Sequence, residues 1–283
     1  MDFSISIKVS AVALATAGNG GGVNVVAPAL VLSTFTMEGG TISGNRATAG
    51  NGGGVNVTQS TEFTMKGGTI SGNFADGASI LSGGGGVNVT LTAEFNMLDG
   101  IISGNEATAG NGGGVNVTQF ANFTMEGGTI SENRATATVG SGGGVNVVAQ
   151  GPVLSNFTMK GGTISGNRAY GTGNSYIGGG GVRVTATGGT AISSFTMSGD
   201  GTILRNEAFN NGGGVLLWGN VTFKMSGGTI YGGVGCPATA NPNTAGVIGH
   251  SIFTGGGAIP TFVSPLPTWL AFPLLFDYVL PLP

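Results

Sequence analysis

A repeat of about thirty residues runs through most of this chain, and it constrains the fold more than any other feature of the sequence. The clearest mark of each repeat is a valine directly after a run of glycines, followed by a Phe-x-Met step and then by an isoleucine, usually within Thr-Ile-Ser. The valine recurs at Val23, Val55, Val87, Val115, Val145, Val182 and Val215, with spacings of 32, 32, 28, 30, 37 and 33 residues. We call these repeats units 1 to 7 in chain order.

The distances between these markers separate a constant part of each unit from two variable parts. The step from the phenylalanine to the isoleucine is 7 residues in six units and 8 in the remaining one. By contrast, the step from the valine to the phenylalanine ranges from 8 to 13 residues, and that from the asparagine after the isoleucine to the next valine ranges from 9 to 15. Insertions confined to particular connections are typical of solenoids, in which loops lie outside the stacked strands.

Within each unit the apolar residues alternate with polar ones, which indicates strands rather than helices. Val55 and Val57 share one side of a strand, and so do Phe63 and Met65, while Ile70 stands between two hydroxyl residues. Each unit therefore predicts three short strands separated by glycine-rich turns. We predict an all-β fold, a right-handed parallel β-helix of about seven to eight coils, with equivalent strands stacked about 4.8 Å apart.

Such a fold places equivalent residues above one another, so the repeats predict ladders of identical side chains along the axis. The predicted aromatic ladder is Phe35, Phe63, Phe95, Phe123, Phe157, Phe195 and Phe223, and the aliphatic ladder is Ile42, Ile70, Ile102, Ile130 and Ile164. The predicted amide ladder is Asn45, Asn73, Asn105, Asn133, Asn167 and Asn206. An asparagine at a corner adopts the left-handed conformation readily and can pair amide to amide along the axis. Ligand binding is the alternative role for these asparagines.

The composition argues against several classes of function. Glycine supplies 59 of the 283 residues, and only 7% of the residues are charged. Lysine and arginine total 9 against 12 acidic residues, so the basic surface of a nucleic-acid-binding protein is missing. Cys236 and His250 are the only residues of their types, which excludes an intramolecular disulfide and a histidine-based metal site. We expect no cofactor, no bound metal and no nucleic-acid partner.

The repeated units resemble those of a known class of bacterial surface proteins. The pattern Gly-Gly-Gly-Val, Phe-Thr-Met, Gly-Gly-Thr-Ile-Ser-Gly-Asn is similar to the right-handed β-helix repeats of polymorphic outer-membrane-protein autotransporter passengers. That class carries Gly-Gly-Ala-Ile, which stands here at Gly256–Ile259, and Phe-x-x-Asn, for which Ile42–Asn45 stands with isoleucine in place of phenylalanine. The resemblance covers residues 18 to about 259 and implies an adhesin-like protein, secreted or at the cell surface. These passengers have a C-terminal membrane anchor that is not present in this chain, so we expect either that the anchor is absent or that the chain is a fragment.

The sequence divides into three parts. Residues 18–259 form the predicted β-helix. Residues 1–17 are interpreted as an incomplete coil, because Ala15–Gly20 repeats the sequence of Ala47–Gly52; a signal-like segment is the alternative. Residues 260–283 hold six of the ten prolines among apolar residues, and we predict a cap or partner-docking tail there, with a partly disordered tail as the alternative.

Two alternatives to a binding role follow from the polar residues. Asp99 and Glu126 lie at similar corner positions of neighbouring units, and such an acid pair would suit a polysaccharide lyase or hydrolase. The same corner column, however, puts Glu38 beside Lys66 and Glu126 beside Lys160, which favours ion pairs that help register. We therefore predict no catalytic residues. The second alternative is an ice- or carbohydrate-binding face, because regular hydroxyls line the outside of two strands. Its residues are Thr41, Ser43, Thr69, Ser71, Ser103, Thr129, Ser131, Thr163, Ser165 and Thr229 on one strand, with Thr36, Thr64, Thr124, Thr158 and Thr196 on the other.

Our main functional prediction is a non-enzymatic scaffold that presents loops to a host-cell protein, a matrix protein or a surface glycan. The loops singled out are the two long insertions, Phe74–Ser82 and Tyr170–Ile177, because both carry residues that are apolar for a loop. The candidate binding residues are Phe74, Ile80, Leu81, Tyr170, Tyr176 and Ile177. The oligomeric state does not follow from the sequence.

Overall fold

The chain is a parallel β-solenoid of about six turns with roughly 32 residues per turn. A computed structural model describes residues 3–11, 14–15, 18–27, 32–79, 81–232, 242–246, 251–262 and 277–278. Every strand pairing in this part of the chain is parallel, and it contains no helix. The predicted all-β solenoid is thus confirmed, and six turns separate Val23 in unit 1 from Val215 in unit 7.

The first predicted strand forms one continuous sheet along the axis. These valine strands are Val23–Val26, Val55–Thr58, Val87–Thr90, Val115–Thr118, Val145–Gln150, Val182–Thr187, Val215–Gly219 and Ile252–Gly255. Each pairs with its equivalent in the next unit without a shift, as Val55 with Val87 and Val87 with Val115. The repeat therefore fixes the register, because inward valines meet valines in all pairings up to unit 6.

The second and third predicted strands are also present in every unit. The phenylalanine strands are Ser33–Ser43, Thr61–Met65, Glu94–Met97, Asn122–Met125, Leu154–Met159, Ile192–Met197, Val221–Met225 and, without phenylalanine at the ladder position, Ile259–Phe262. The isoleucine strands are Thr69–Ser71, Ile101–Ser103, Thr129–Ser131, Thr163–Ser165, Thr202–Leu204 and Thr229–Ile230. In unit 1 one long strand, Ser33–Ser43, supplies both positions and joins the two sheets.

A fourth strand of two residues follows the ladder asparagine, and the sequence reasoning did not predict it. These alanine strands are Leu14–Ala15, Arg46–Ala47, Phe74–Ala75, Glu106–Ala107, Arg134–Ala135, Arg168–Ala169, Glu207–Ala208 and Thr244–Ala245. From Ala47 to Ala208 the alanine of each of these strands is buried, and the residue before it is at least partly exposed. Two residues are too few to show alternation, so a strand this short gives no periodic signal.

The two ends are described in part. Phe3–Ala11 runs parallel to Ser33–Ser43, and Asp277–Tyr278 pairs with Ile252–Gly255. Cys236, His250 and most of residues 263–283 lie outside the described residues. The assignments of residues 1–17 and 260–283, like the right-handed sense of the helix, therefore stay predictions.

The interior is a set of stacked columns. All seven ladder phenylalanines are buried, and successive rings stack with centroids 4.7–5.1 Å apart. The methionines of the Phe-x-Met step and the ladder isoleucines from Ile42 to Ile164 are buried beside them. Because each ring contacts the ring above and the ring below, the stability of a unit depends on its neighbours.

The ladder asparagines are buried and form a continuous chain of hydrogen bonds. From Asn45 to Asn206, each Nδ2 donates to the Oδ1 of the next ladder asparagine at 2.8–2.9 Å, and each backbone N–H donates to the same oxygen at 2.9–3.0 Å. The chain ends on Asn243, a seventh member that the repeat did not reveal. From Asn73 onward, Nδ2 also donates to the carbonyl of the ladder isoleucine in the preceding unit, at 2.9–3.0 Å. The contacts give these asparagines a structural role at the corner.

The glycine runs are required because the chain approaches itself closely there. A β-carbon at Gly113 would lie 2.4 Å from the backbone of Arg134, and one at Gly114 would lie 2.7 Å from the carbonyl oxygen of Gly144. Real side chains essentially never make such contacts, so larger residues would push the glycine run away from the alanine strand. Because the glycine run lies close to the backbone of the following unit, the valine strand that begins after it is positioned to pair with the valine strand of that unit.

Candidate functional site

One of the two variable connections of each unit lies between the alanine strand and the next glycine run, at one corner of the solenoid. We call this region the loop corner. In most units it is short and built from small residues, as at Thr108–Asn111. Both predicted binding loops lie here, the first between units 2 and 3 and the second between units 5 and 6. The same corner of the solenoid therefore carries both loops.

The earlier loop, residues 74–82, is held by an ion pair and by hydrogen bonds to the units on both sides. Arg46 lies over the ring of Phe74, with its guanidinium carbon 5.6 Å from the ring centroid, and its Nε contacts Oδ2 of Asp76 at 2.7 Å. Further along, the carbonyl of Leu81 accepts a hydrogen bond from Nδ2 of Asn116 at 3.0 Å. Phe74 and Leu81 are both half-buried, while Ile80 lies outside the described residues.

The later loop, residues 170–177, carries two aromatic pairs. Tyr170 packs edge-to-face on Phe209 with ring centroids 4.6 Å apart, and Phe209 is 46% exposed. Tyr176 is tilted against Trp218 at 6.3 Å. We call Tyr170–Phe209 and Tyr176–Trp218 the two aromatic pairs. Each joins the loop to the following unit, so the rings are fixed on the scaffold while remaining partly open to solvent.

Ile177 differs from its predicted role. It is only 1% exposed, its backbone N–H bonds to the carbonyl of Asn174 at 3.0 Å, and its side chain packs over Gly171. A buried side chain does not present a contact surface, so any contribution of Ile177 to binding is through the shape of the loop. Its apolar character secures the loop from inside, and a binding role stays a prediction for Tyr170 and Tyr176.

Hydrogen bonds hold the later loop from both neighbouring units. On one side, the N–H groups of Gly171 and Thr172 donate to the carbonyls of Gly140 and Thr138, at 3.0 and 2.9 Å. On the other side, the side chains of Asn210 and Asn211 donate to the carbonyls of Asn174 and Ser175 at 2.8 and 3.1 Å. The loop is therefore an ordered part of the surface.

Phe209 and Trp218 were missed by the sequence reasoning, although a column alignment could have found them. Tyr170 and Phe209 occupy the same place in successive units, directly after the buried alanine, where most units have threonine or aspartate. Trp218 pairs with Thr185 in the valine sheet, at a position that is threonine in most earlier units. In both columns the aromatic residue replaces the residue type that most units share. A search for what the units have in common does not detect such a replacement.

One partly exposed ion pair lies beside the later loop. Nε of Arg168 contacts Oε2 of Glu207 at 3.1 Å, and both side chains are partly exposed. The pKa of Arg168 lies above its ordinary value, mainly because of the Tyr170 side chain and then because of the Glu207 carboxylate. Arg168 therefore connects the first aromatic pair to the column of outward residues on the alanine strands.

The predicted corner ion pairs are present. Nζ of Lys66 lies 2.9 Å from Oε1 of Glu38, and Nζ of Lys160 lies 2.8 Å from Oε1 of Glu126. Glu126 is thus engaged by a lysine, and Oδ1 of Asp99 accepts the N–H of Gly100 at 2.7 Å. Within the described part of the chain, no three His, Cys, Asp or Glu side chains group closely enough to hold a metal ion.

Two further outer surfaces are polar. On the isoleucine strands the predicted hydroxyls stand in rows, because Thr41 pairs with Thr69 and Ser43 with Ser71; the exposed side chain of Ile101 interrupts the threonine row in unit 3. On the phenylalanine strands a shallow depression of about 430 Å³ is lined mainly by amides and hydroxyls. Within it, Oγ of Ser194 donates to Asn156 at 2.7 Å, and Nδ2 of Asn156 donates to Asn122 at 2.9 Å.

Comparisons with protein-family models, with curated proteins and with solved structures found no match for this chain. The solenoid fold therefore stands on the structure, and the resemblance to autotransporter passengers stays a sequence-based expectation. No helix among the described residues has the length and apolar character needed to cross a bilayer.

Proposed function

We propose that the protein is a secreted or surface-exposed binding scaffold, adhesin-like in its action, whose loop corner recognises a protein or a glycan. The observation that carries this proposal is the pair of aromatic contacts on one loop, Tyr170–Phe209 and Tyr176–Trp218. Tyrosine and tryptophan dominate the energetics of many interfaces because they offer large, amphipathic contact area with few rotatable bonds.

The scaffold supports this role by rigidity. The stacked rings and the amide chain fix each unit against its neighbours, and the hydrogen bonds of residues 171–175 extend that order to the loop. A loop ordered before binding loses less conformational entropy when a partner is bound. The mechanism is therefore presentation of pre-positioned aromatic residues, with no chemical step.

The test is binding of the purified protein to an array of extracellular-matrix proteins and surface glycans. We expect the double variant Tyr170→Ala, Phe209→Ala to lose most of the binding, because it removes a whole aromatic pair. The matched control is Thr108→Ala, Thr136→Ala, which changes the same column in earlier units. Full binding by the aromatic variant, or equal loss in both variants, would contradict the proposal.

A second candidate function is supported by the hydroxyl rows. Threonine and serine stand in register along the isoleucine strands, where residues two apart on a strand lie about 6.6 Å apart and neighbouring strands about 4.8 Å apart. A regular hydroxyl lattice of this kind can order water or bind a crystalline surface. If ice is the ligand, the protein should inhibit ice recrystallisation, and Thr129→Leu with Thr163→Leu should reduce the effect. No inhibition at micromolar concentration would exclude this candidate.

A further inference from the structure

One position in the valine sheet departs from its column in a way that the fold does not require. The residue between the two valines lies on the opposite face of the strand from them and is buried from unit 2 onward; it is asparagine in units 1 to 5, then arginine in unit 6 and leucine in unit 7. These residues are Asn24, Asn56, Asn88, Asn116, Asn146, Arg183 and Leu216, paired in register from one unit to the next. The arginine thus stands where a shorter amide would continue the pattern.

The asparagines of this column form a second hydrogen-bonded ladder, and Arg183 ends it. Nδ2 of each asparagine from Asn56 to Asn146 donates to Oδ1 of the preceding one at 2.8–2.9 Å. Nη1 of Arg183 makes the equivalent bond to Oδ1 of Asn146 at 3.0 Å. An asparagine at position 183 would satisfy the ladder equally well, so the guanidinium must have another role.

The earlier loop shows what that role is. Leu81 lies six residues before the valine of its unit, and its carbonyl is held by Asn116, which belongs to this column in the following unit. Tyr176 lies six residues before the valine of unit 6, which is the equivalent place in the later loop. The following unit offers only Leu216 there, and leucine has no donor. Nε of Arg183, from the same unit as the loop, donates to the carbonyl of Tyr176 at 3.0 Å.

Arg183 also contacts the aromatic ring that the loop presents. Its guanidinium carbon lies 6.0 Å from the centroid of the Tyr176 ring, whose other neighbour is Trp218. Resting on the proposed binding function, we propose that Arg183 is the positioning residue of the loop corner, holding Tyr176 by its carbonyl and by its ring in the place that a partner recognises.

The cost of this arrangement argues that it is functional. Arg183 is 2% exposed, and among the described residues no carboxylate forms an ion pair with it. Burial lowers the pKa of Arg183 to about 10, so the side chain still carries its charge at neutral pH. A buried charge without a counter-ion is unfavourable unless it is well hydrogen-bonded. The stability of the unit would be served by asparagine, whereas only the longer, charged side chain reaches the loop carbonyl from its own unit.

The first test measures the loop directly and needs no binding partner. Amide hydrogen exchange is followed in the wild type, in Arg183→Asn, and in the double variant Arg183→Asn, Leu216→Asn. We expect Arg183→Asn to speed exchange of the Ile177 amide by at least about tenfold, because hydrogen bonds from charged donors are strong. The double variant restores the arrangement of the earlier loop and should bring exchange back toward the wild-type rate. The amides of the phenylalanine strands in units 5 and 6 report on the fold.

Exchange at Ile177 that is unchanged in Arg183→Asn overturns the positioning role, whatever the protein binds. If the strand amides of units 5 and 6 are also affected, Arg183→Lys replaces Arg183→Asn, since lysine keeps the charge but loses the two-point geometry. Faster loop exchange in that variant supports the role, and unchanged exchange overturns it.

The second test uses whichever array member binds the wild type. Arg183→Asn should weaken binding at least about tenfold through a slower association rate, and Leu216→Asn should restore it. Faster loop exchange with unchanged binding would place the partner elsewhere and would count against the proposed function, while leaving Arg183 as the residue that holds the loop. The two ideas can therefore fail separately.

Discussion

The interior of the solenoid and its loop corner follow opposite rules. Inside, the same residue recurs in every unit, and rings such as Phe95 and Phe123 stack almost parallel, with an interplanar angle of 7°. At the loop corner the sequence and length change along the chain, and the place that holds Thr108 or Thr136 in earlier units holds Tyr170 and then Phe209 in later ones. Identity inside keeps the register, and this leaves the corner free to vary.

The comparison also shows how much variation a corner can contain. Residues 74–82 and 170–177 are both insertions, yet each has its backbone bonded to the same column of the valine sheet, the first through Asn116 and the second through Arg183. The loops differ in sequence but share one anchoring position. A loop can thus be exchanged without disturbing the sheets if the carbonyl at that position keeps a donor.

The interior should be the most sensitive part of the molecule. Phe123→Ala should lower the free energy of unfolding by about 3–5 kcal/mol, because it leaves a cavity in the middle of a continuous stack. The ring of Phe123 is buried and contacts those of Phe95 and Phe157 at 4.8 and 4.9 Å. Urea unfolding followed by circular dichroism measures the change. Thr124→Ala, on the outer side of the same strand, is the control, and equal losses in the two variants would contradict the stacked interior.

The amide ladder should rank next. Asn133→Ala removes the acceptor of the Asn105 backbone N–H and one donor to the carbonyl of Ile102, each a buried group that costs about 1–3 kcal/mol when left without a partner. The control is Asn122→Ala, whose amide also accepts a bond from another asparagine but lies in the outer polar depression. The same unfolding measurement applies. A control that loses as much stability as Asn133→Ala would show that burial is not what makes the ladder important.

Changes at the loop corner should affect stability less. Tyr170→Ala with Phe209→Ala removes one edge-to-face aromatic contact. We expect the free energy of unfolding to fall by about 0.5–1.5 kcal/mol for this contact, in addition to the small contribution of the apolar area that the two rings bury. Thermal unfolding of this variant beside Phe123→Ala makes the comparison quantitative. If the loop variant were the less stable of the two, the division between a structural interior and a variable corner would be wrong.

The smallest effect is expected for the exposed ion pairs. Lys160→Ala should change the free energy of unfolding by about 0–1 kcal/mol, since the Lys160 and Glu126 side chains are 54% and 45% exposed. The difference from the wild type should shrink further in high salt, because screening weakens exposed pairs. If Lys160→Ala lowers the free energy of unfolding as much as Asn133→Ala does, or if salt leaves the difference unchanged, the exposed ion pairs contribute more to stability than this geometry indicates.

Most of the fold was predictable because it is periodic. The positions of Phe35 to Phe223 and of Asn45 to Asn206 recur at nearly constant offsets, and parallel stacking turns a constant offset into a contact. The two-residue alanine strands were not predictable because alternation cannot be detected over two residues. Asn243 was missed because the segment between Ile230 and Asn243 does not follow the repeat, although Asn243 completes the same ladder.

The candidate site was less predictable, because it depends on departures from the repeat. Apolar residues in a long loop singled out Tyr170 and Tyr176, but the same criterion selected Ile177, which is buried. Composition does not tell which apolar side chain of a loop points inward. The contacts of Phe209 and Trp218 join different units, and they become visible only when columns are compared across the whole solenoid.

The two asparagine ladders run in opposite senses. In the corner ladder, each amide nitrogen donates toward the C-terminal end of the rod, as Asn73 does to Asn105, whereas in the valine sheet Asn88 donates toward the N-terminal end, to Asn56. Their aligned amide dipoles therefore oppose each other along the axis and largely cancel. Over units 1 to 5, where both ladders run, four amide bonds point one way and four point the other way, so these side chains add little net dipole along the rod.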